Sequence, residues 1–455
     1  MNDSTLTRRD FLRLVAVSTA GLSLAACTSK ETSTPVSEEK PTEQPAVAEP
    51  VEIDFWWGWT PEIHVNAINT AVGKFMEANP NVKVLTAQHE WGEKLLTALA
   101  AGNPPALFEQ NTPTEYAAKG SLLPLDDFLS ASTTTNKEAF YDVSIKEASY
   151  KGSLYGLPAL EHFAQMSICM NKKMAEDVGL KMPDNIPATM EDLMAQAFQY
   201  SEIDQSGNIT KLWYSIDTYF PWYGAAYGLS CYDEDSQKFR FDDPIWIQVL
   251  QLMGDFFQFF GPEKLTAFDS TYPGWTAVPG CGMCSDVQAI KLDGYWTPGE
   301  FAQTAPDKEY AYGWYPVPEQ RKGKKIQMIG SHHVMIPKDG KAHDVAWKLA
   351  EHLTNNESIK IIFDGAGFLL ATKAFLKNPS SVVDVTKYKG LDWYIESVAK
   401  ADEIWGWPAI PMENFVWDAF SKAYNAVSYK EKSAEQAAKD LQAACTEELK
   451  NVLGG

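Results

Sequence analysis

Between Val51 and Phe108 the hydrophobic pattern changes period four times, and that alternation restricts the fold more than any other feature of the chain. Val51-Glu-Ile-Asp-Phe-Trp-Trp alternates and then turns wholly apolar, as a strand does. Pro61 stands at a helix start, and Ile68, Val72, Phe75 and Met76 recur at helical spacing until Asn79-Pro80. Val82-Lys-Val-Leu is a second strand. Leu95, Leu96 and Leu99 mark a second helix ended by Gly102-Asn-Pro-Pro, and Ala106-Leu-Phe a third strand. This β-α-β-α-β order predicts an α/β fold, a sheet with helices on its faces. Farther on, Asp243-Pro opens an apolar helix through Ile245, Val249, Leu252 and Phe256. Ala289-Ile-Lys-Leu-Asp-Gly-Tyr-Trp reads as strand and turn, Val334-Met-Ile-Pro as a short strand, and residues 414–453 as almost wholly helical. At 455 residues the chain has room for two full cores.

The first 27 residues read as an address. Thr7-Arg8-Arg9-Asp10-Phe11-Leu12-Arg13 resembles a twin-arginine export signal, and Leu24-Ala25-Ala26-Cys27 resembles the bacterial lipobox, in which the cysteine is lipidated. The apolar core between them, residues 14–26, is shorter than the roughly 20 residues of a membrane-spanning helix. Residues 28–50 are rich in Thr, Ser, Glu, Pro and Ala and read as a disordered tether spanning about 25–30 Å. The expected location is the outer face of the cytoplasmic membrane, anchored through Cys27.

A net charge of −21 argues against nucleic acid and polyanionic ligands. The 15 Trp residues serve core packing or ligand stacking, since indole faces suit sugar rings and cations alike. Apart from Cys27 there remain Cys169, Cys231, Cys281, Cys284 and Cys445. Cys281-Gly-Met-Cys284 has redox or zinc spacing but no second half-site, so it reads as a local disulfide or two ordinary thiols. Twin-arginine signals serve proteins exported folded, so the fold is not expected to depend on such a disulfide.

From Val51 to the C-terminus the chain resembles the family 1 extracellular solute-binding proteins, receptors of sugar-importing ABC transporters that include the maltose-binding protein. Ala98-Leu-Ala-Ala-Gly-Asn-Pro-Pro-Ala resembles the family's alanine-rich helix with its Gly and Pro-Asp, with Pro105 in place of the Asp. Ala117-Ala-Lys-Gly-Ser-Leu-Leu-Pro-Leu-Asp is similar to its Gly-x-Leu-x-Pro-Leu turn. Tyr155-Gly-Leu-Pro with Asn171-Lys172, Asp293-Gly-Tyr-Trp296, and Ala346-Trp-Lys-Leu with Leu353-Thr-Asn-Asn-Glu follow in the family's order. The resemblance implies a two-lobed periplasmic-binding-protein fold with ligand in the cleft. It places one lobe in residues 51–161 and 331–378 and the other in residues 162–330 and 379–455, with crossovers near 160–163, 328–331 and 376–381. It also implies a hinge motion recognised by a membrane permease.

By the same resemblance, Asp217-Thr-Tyr219-Phe220-Pro-Trp222 matches a segment supplying an acidic residue and a stacking tyrosine. Trp296 and Trp417 fall on stacking tryptophans; for each, the competing reading is a packed core aromatic. Trp57 and Trp59 flank the first strand end, where ligands collect in open α/β sheets. Gln110 and Asn111 follow the third strand, but the Asp-Arg pair of the maltose-binding protein is absent, which points away from maltodextrin. Glu161 and His162 lie near an acidic sugar contact, with two residues more before Asn171 than in that relative; either one faces the cleft. Ser331-His332-His333 lies at the second crossover. Adjacent histidines on a strand point to opposite faces, so the pair chelates one ion poorly, and one of them, His332, is expected in the cleft. Trp405-Gly-Trp407-Pro408 is a further candidate loop.

The expected partners are a neutral oligosaccharide and ABC permease subunits, with the receptor itself a monomer; no cofactor or metal is called for. Two rival readings stand beside this. A glycoside hydrolase needs two carboxylates about 5–10 Å apart, for which Glu161 and Asp217 are candidates; no G-x-S-x-G or H-E-x-x-H motif is present. A receptor for a cationic solute, such as a polyamine or betaine-like compound, would use the same acidic and aromatic groups.

Overall fold

In the computed structural model, which describes residues 50–89 and 92–454, the predicted alternation forms the centre of one sheet. The export signal, Cys27 and residues 28–49 of the tether lie outside the described residues. Val51–Trp57 pairs in parallel with Val82–Gln88 on one side and Leu107–Gln110 on the other. The intervening helices, Glu62–Ala78 and Glu93–Ala100, run where the helical spacing places them. On the first of these, Ile68, Ala71, Val72 and Phe75 are buried, one stripe at i, i+3, i+4 and i+7 laid on the sheet.

The sheet is extended by Ile326–Met335, a strand much longer than Val334-Met-Ile-Pro suggests. It runs antiparallel to Leu107–Gln110 and to Leu157–Ala164, and parallel to Glu403–Trp405. A second sheet orders Tyr310–Gly313, Ser167–Asn171, Gln288–Asp293, Ile209–Tyr214 and Glu202–Ile203. Two separate apolar cores accompany the two sheets, which is the mixed α/β, two-lobed architecture expected.

The chain passes between the two cores several times; Leu292 lies in the second, Tyr295 in the first and Tyr315 in the second again. Ala164 belongs to the first core and Met166 to the second; Met328 to the second and Ile329 to the first. Side-chain amides tie these two passages together: Gln327 accepts from the Met166 N–H at 2.8 Å, and Gln165 donates to the Gly330 carbonyl at 2.7 Å. Val383, Tyr388, Leu391, Tyr394 and Val398 lie in the first core and Trp407 in the second. The amphipathic helix Leu391–Lys400 turns its buried face to the first core.

The pairing of Leu157–Ala164 with Ile326–Met335 contains a bulge. Ser331 lies opposite His162 and His333 opposite Pro158, so a four-residue step faces a two-residue step. The two extra residues sit beside Leu160, whose φ of 62° is left-handed and uncommon for leucine. Glu161 and His162 follow directly, and the irregularity sets their directions. Cys281 and Cys284 form a disulfide within one local turn, while Cys169, Cys231 and Cys445 are buried thiols. No helix among the described residues is long and apolar enough to cross a membrane.

Candidate functional site

A cavity of about 590 Å³ is lined by groups from both cores, a size within the range of small-molecule sites. The first core supplies Trp59 and Asn111, which follow strand ends, Glu161 and His332, which lie within the strands Leu157–Ala164 and Ile326–Met335, and Phe368, which follows the helix Asn356–Ala366. Trp59 is almost fully buried, with its ring 4.4 Å from the His332 imidazole and 5.3 Å from Phe368. The buried Glu109 carboxylate organises this wall. It accepts the Gly58 N–H at 2.9 Å and pairs closely with His332 Nδ1, while His332 Nε2 faces Glu161 Oε2 at 3.5 Å. Burial alone would lower the His332 pKa, but Glu109 and Glu161 more than reverse it, and the imidazole stands above its ordinary value.

The second core supplies an aromatic wall. Tyr219 is 45% exposed and stacks on Trp222 with centroids 4.7 Å apart and planes 19° from parallel. Its edge meets Trp407 at 6.3 Å. Trp296, which packs against both cores, and Trp275, which packs against the first, complete the wall. Gly294 is required here by close approach: a Cβ on it would lie 2.2 Å from the Trp296 ring.

The polar groups of this half are carboxylates around one lysine. Lys291 Nζ lies 2.5 Å from Asp293 Oδ2. Glu300 accepts the Trp275 indole N–H at 3.1 Å and the Thr276 hydroxyl, and His64 Nε2 lies 3.6 Å away. Burial raises the Glu300 carboxyl to about 7 against the lowering effect of Thr276. Burial likewise raises Asp217 to about 7, opposed by the Tyr219 N–H it accepts at 3.0 Å. Both therefore titrate near neutrality.

The structure thus gathers Trp59, Asn111, Glu161, Asp217, Tyr219, Trp222, Trp296, His332 and Trp407 around one space. Five other expected residues lie elsewhere. Trp57 is a strand residue whose ring is wholly buried in the first core. Gln110 turns its carbonyl back to the Asn111 N–H at 2.8 Å. His162 is fully buried, with Nδ1 3.3 Å from the His332 carbonyl and Nε2 directed at Glu147, so it is Glu161 that faces the cavity. Trp405 ends the edge strand and donates to Glu403 at 3.1 Å. Trp417 sits one layer behind the wall, 5.6 Å from Tyr219, and donates to Glu413 at 3.1 Å.

Gln165, Trp275, Lys291, Asp293, Glu300 and Phe368 line the cavity without having been expected there from the sequence. For Lys291 and Asp293 a signal existed: two charged residues at i and i+2 that alternate with the apolar Ile290 and Leu292 mark one special face. Trp275, Glu300 and Phe368 stand in no motif.

Two lobes with an aromatic and acidic cavity between them define a solute-binding protein. The sequence matches the family described as bacterial extracellular solute-binding protein over residues 62–360, and the chain belongs to that family. No curated protein sequence matches it. Among solved structures, CpMnBP1 with mannobiose bound superposes with a TM-score of 0.75 at 20% identity, covering 87% of this chain and 100% of that one. An ABC substrate-binding protein from Listeria monocytogenes in complex with cycloalternan gives 0.72 at 20% identity, over 89% and 100%. The maltose/maltodextrin-binding domain from Bdellovibrio bacteriovorus bound to maltotriose gives 0.66 at 18%, over 88% and 100%.

Proposed function

We propose that this protein is an extracytoplasmic receptor, anchored by lipid at Cys27, that captures a neutral oligosaccharide and delivers it to an ABC importer without chemical turnover. The observation carrying this reading is the pairing, around one interlobe cavity, of aromatic faces with carboxylate, amide and imidazole groups. Sugar rings offer apolar faces to stack and a rim of hydroxyls that donate and accept hydrogen bonds, and this lining answers both. The sugar ligands of the structurally similar proteins agree with it. Ligand bridging the two lobes favours closure only by its greater affinity for the closed form.

One feature favours a second reading, a cationic solute. Four carboxylates, Glu161, Asp217, Asp293 and Glu300, line the cavity with a single lysine, and that lysine is already paired with Asp293. A sugar panel read by tryptophan fluorescence and thermal shift tests the main reading. A neutral di- or trisaccharide should saturate the signal and raise the melting temperature. No response to any neutral sugar, with saturation by a polyamine or betaine, overturns it.

A further inference from the structure

Behind the cavity wall, at the passages between the two cores, three side chains converge from three separate segments. Glu147 ends the helix Asp142–Glu147, His162 lies on Leu157–Ala164 and His333 on Ile326–Met335. All three are buried, and one ligand-type atom from each lies within 4.8 Å of the others. His333 Nε2 is 3.2 Å and His162 Nε2 3.8 Å from the same oxygen, Glu147 Oε1, and the two imidazole centroids are 5.0 Å apart.

We propose that Glu147, His162 and His333 form a binding site for a divalent transition metal ion, Zn2+ first among them, at the junction of the lobes. Two imidazoles and a carboxylate are the donor set of zinc and its neighbours in the first transition row. Tetrahedral zinc with bonds of about 2.0–2.1 Å sets its ligand atoms about 3.3 Å apart. The observed 3.2 and 3.8 Å lie within about half an ångström of that spacing, and the two imidazole nitrogens, within 4.8 Å of each other, would draw together on the ion.

The surroundings are shaped for this cluster. A Cβ on Gly330 would lie 2.7 Å from Glu147 Oε2, and one on Gly156 would lie 2.9 Å from the His333 Cβ. Both neighbouring backbones approach because they carry glycine. Glu147 Oε2 accepts the Trp407 N–H at 2.9 Å, and Trp407 lines the ligand cavity. His162 Nδ1 faces the His332 carbonyl at 3.3 Å, a second-sphere contact that would fix which ring nitrogen turns to the ion. An ion here would join two crossing strands and, through Glu147, steady one plate of the cavity.

The alternative for these groups is a metal-free cluster of two imidazoles and a carboxyl group. The separation of histidine roles is also what strand alternation demands: His332 turns to Glu109 and Glu161, His333 to Glu147. The partner that completes the site is therefore His162, far away in sequence.

The test uses the folded protein, stripped with a strong chelator, incubated with Zn2+ and desalted, with metal counted by mass spectrometry. The expected result is close to one Zn2+ per chain and a melting temperature raised by several degrees. His162→Gln and His333→Gln should each lower retained zinc at least tenfold. Because either variant may misfold, Co2+ is also added to the unmutated protein, where visible d–d bands of a low-coordinate site are expected. Zinc retained no better than on a control protein, zinc retained equally by folded variants, or Co2+ giving only its hexaaqua spectrum would each overturn the proposal.

Discussion

Glu413 accepts the indole N–H of Trp407 at 2.9 Å, and the same oxygen accepts that of Trp417 at 3.1 Å. One buried carboxyl thus aims a cavity plate and braces the tryptophan behind it. Burial raises its pKa from 4.5 to about 8, with the two indoles acting in the opposite direction. A carboxyl raised on folding favours the fold fully below its unfolded value and loses that contribution as pH climbs through its folded value. Stability attributable to Glu413 should therefore fall between about pH 4.5 and 8. Glu413→Gln keeps the acceptor and removes the titration. At pH 9 it should exceed the unmutated protein by on the order of 2–4 kcal/mol, and the two should converge near pH 5. Parallel melting-temperature curves across that range would sink the assignment.

Asp217 and Glu300 titrate near 7 inside the cavity, so its charge changes by up to two units across neutrality. A cationic solute should bind about tenfold more tightly at pH 8 than at pH 6, a difference near 1.4 kcal/mol. A neutral sugar should change by less than about threefold over the same range, because its hydroxyls donate to carboxylates and accept from carboxyls. Calorimetric titration at the two pH values separates the readings.

Trp296 and Gly294 act as a unit, since a side chain at 294 would displace the indole. Trp296→Ala should weaken ligand binding by about 2 kcal/mol, roughly thirtyfold. Gly294→Ala should produce much of that loss while leaving the indole in place chemically. If Gly294→Ala binds normally and Trp296→Ala does not, the indole finds its position without the glycine.

Trp57 and Trp59 are two residues apart and should behave in opposite ways. Trp57→Ala opens the first core and should cost about 3–5 kcal/mol of stability, with the affinity of the folded protein unchanged. Trp59→Ala removes a cavity face and should weaken binding instead. Denaturant melts and fluorescence titrations on both variants decide this; a loss of affinity without destabilisation in Trp57→Ala would reverse the placement.

Much of the fold was legible because it rests on local periodicity. The stripe of Ile68, Val72 and Phe75 and the alternation of Ile53, Phe55 and Trp57 are properties of a few neighbouring residues, and the core receives them as read. Helix Leu391–Lys400 is amphipathic, and nothing local says which of the two cores its apolar face covers. The site was legible in part. Residues inside motifs, such as Trp296, Tyr219 and His332, reach the cavity, whereas Trp275, Glu300 and Phe368 join it from stretches without any motif.

By itself the sequence determined the α/β alternation, the family landmarks and the opposed directions of His332 and His333, all of which depend on spacing along one strand or helix. Only the tertiary structure decided which neighbour faces the ligand cavity and which faces the interior. Glu161 is turned one way and His162 the other by a bulge whose two extra residues exist only relative to a partner strand far along the chain. Register between distant strands is a property of the pair, so no reading of either strand alone contains it.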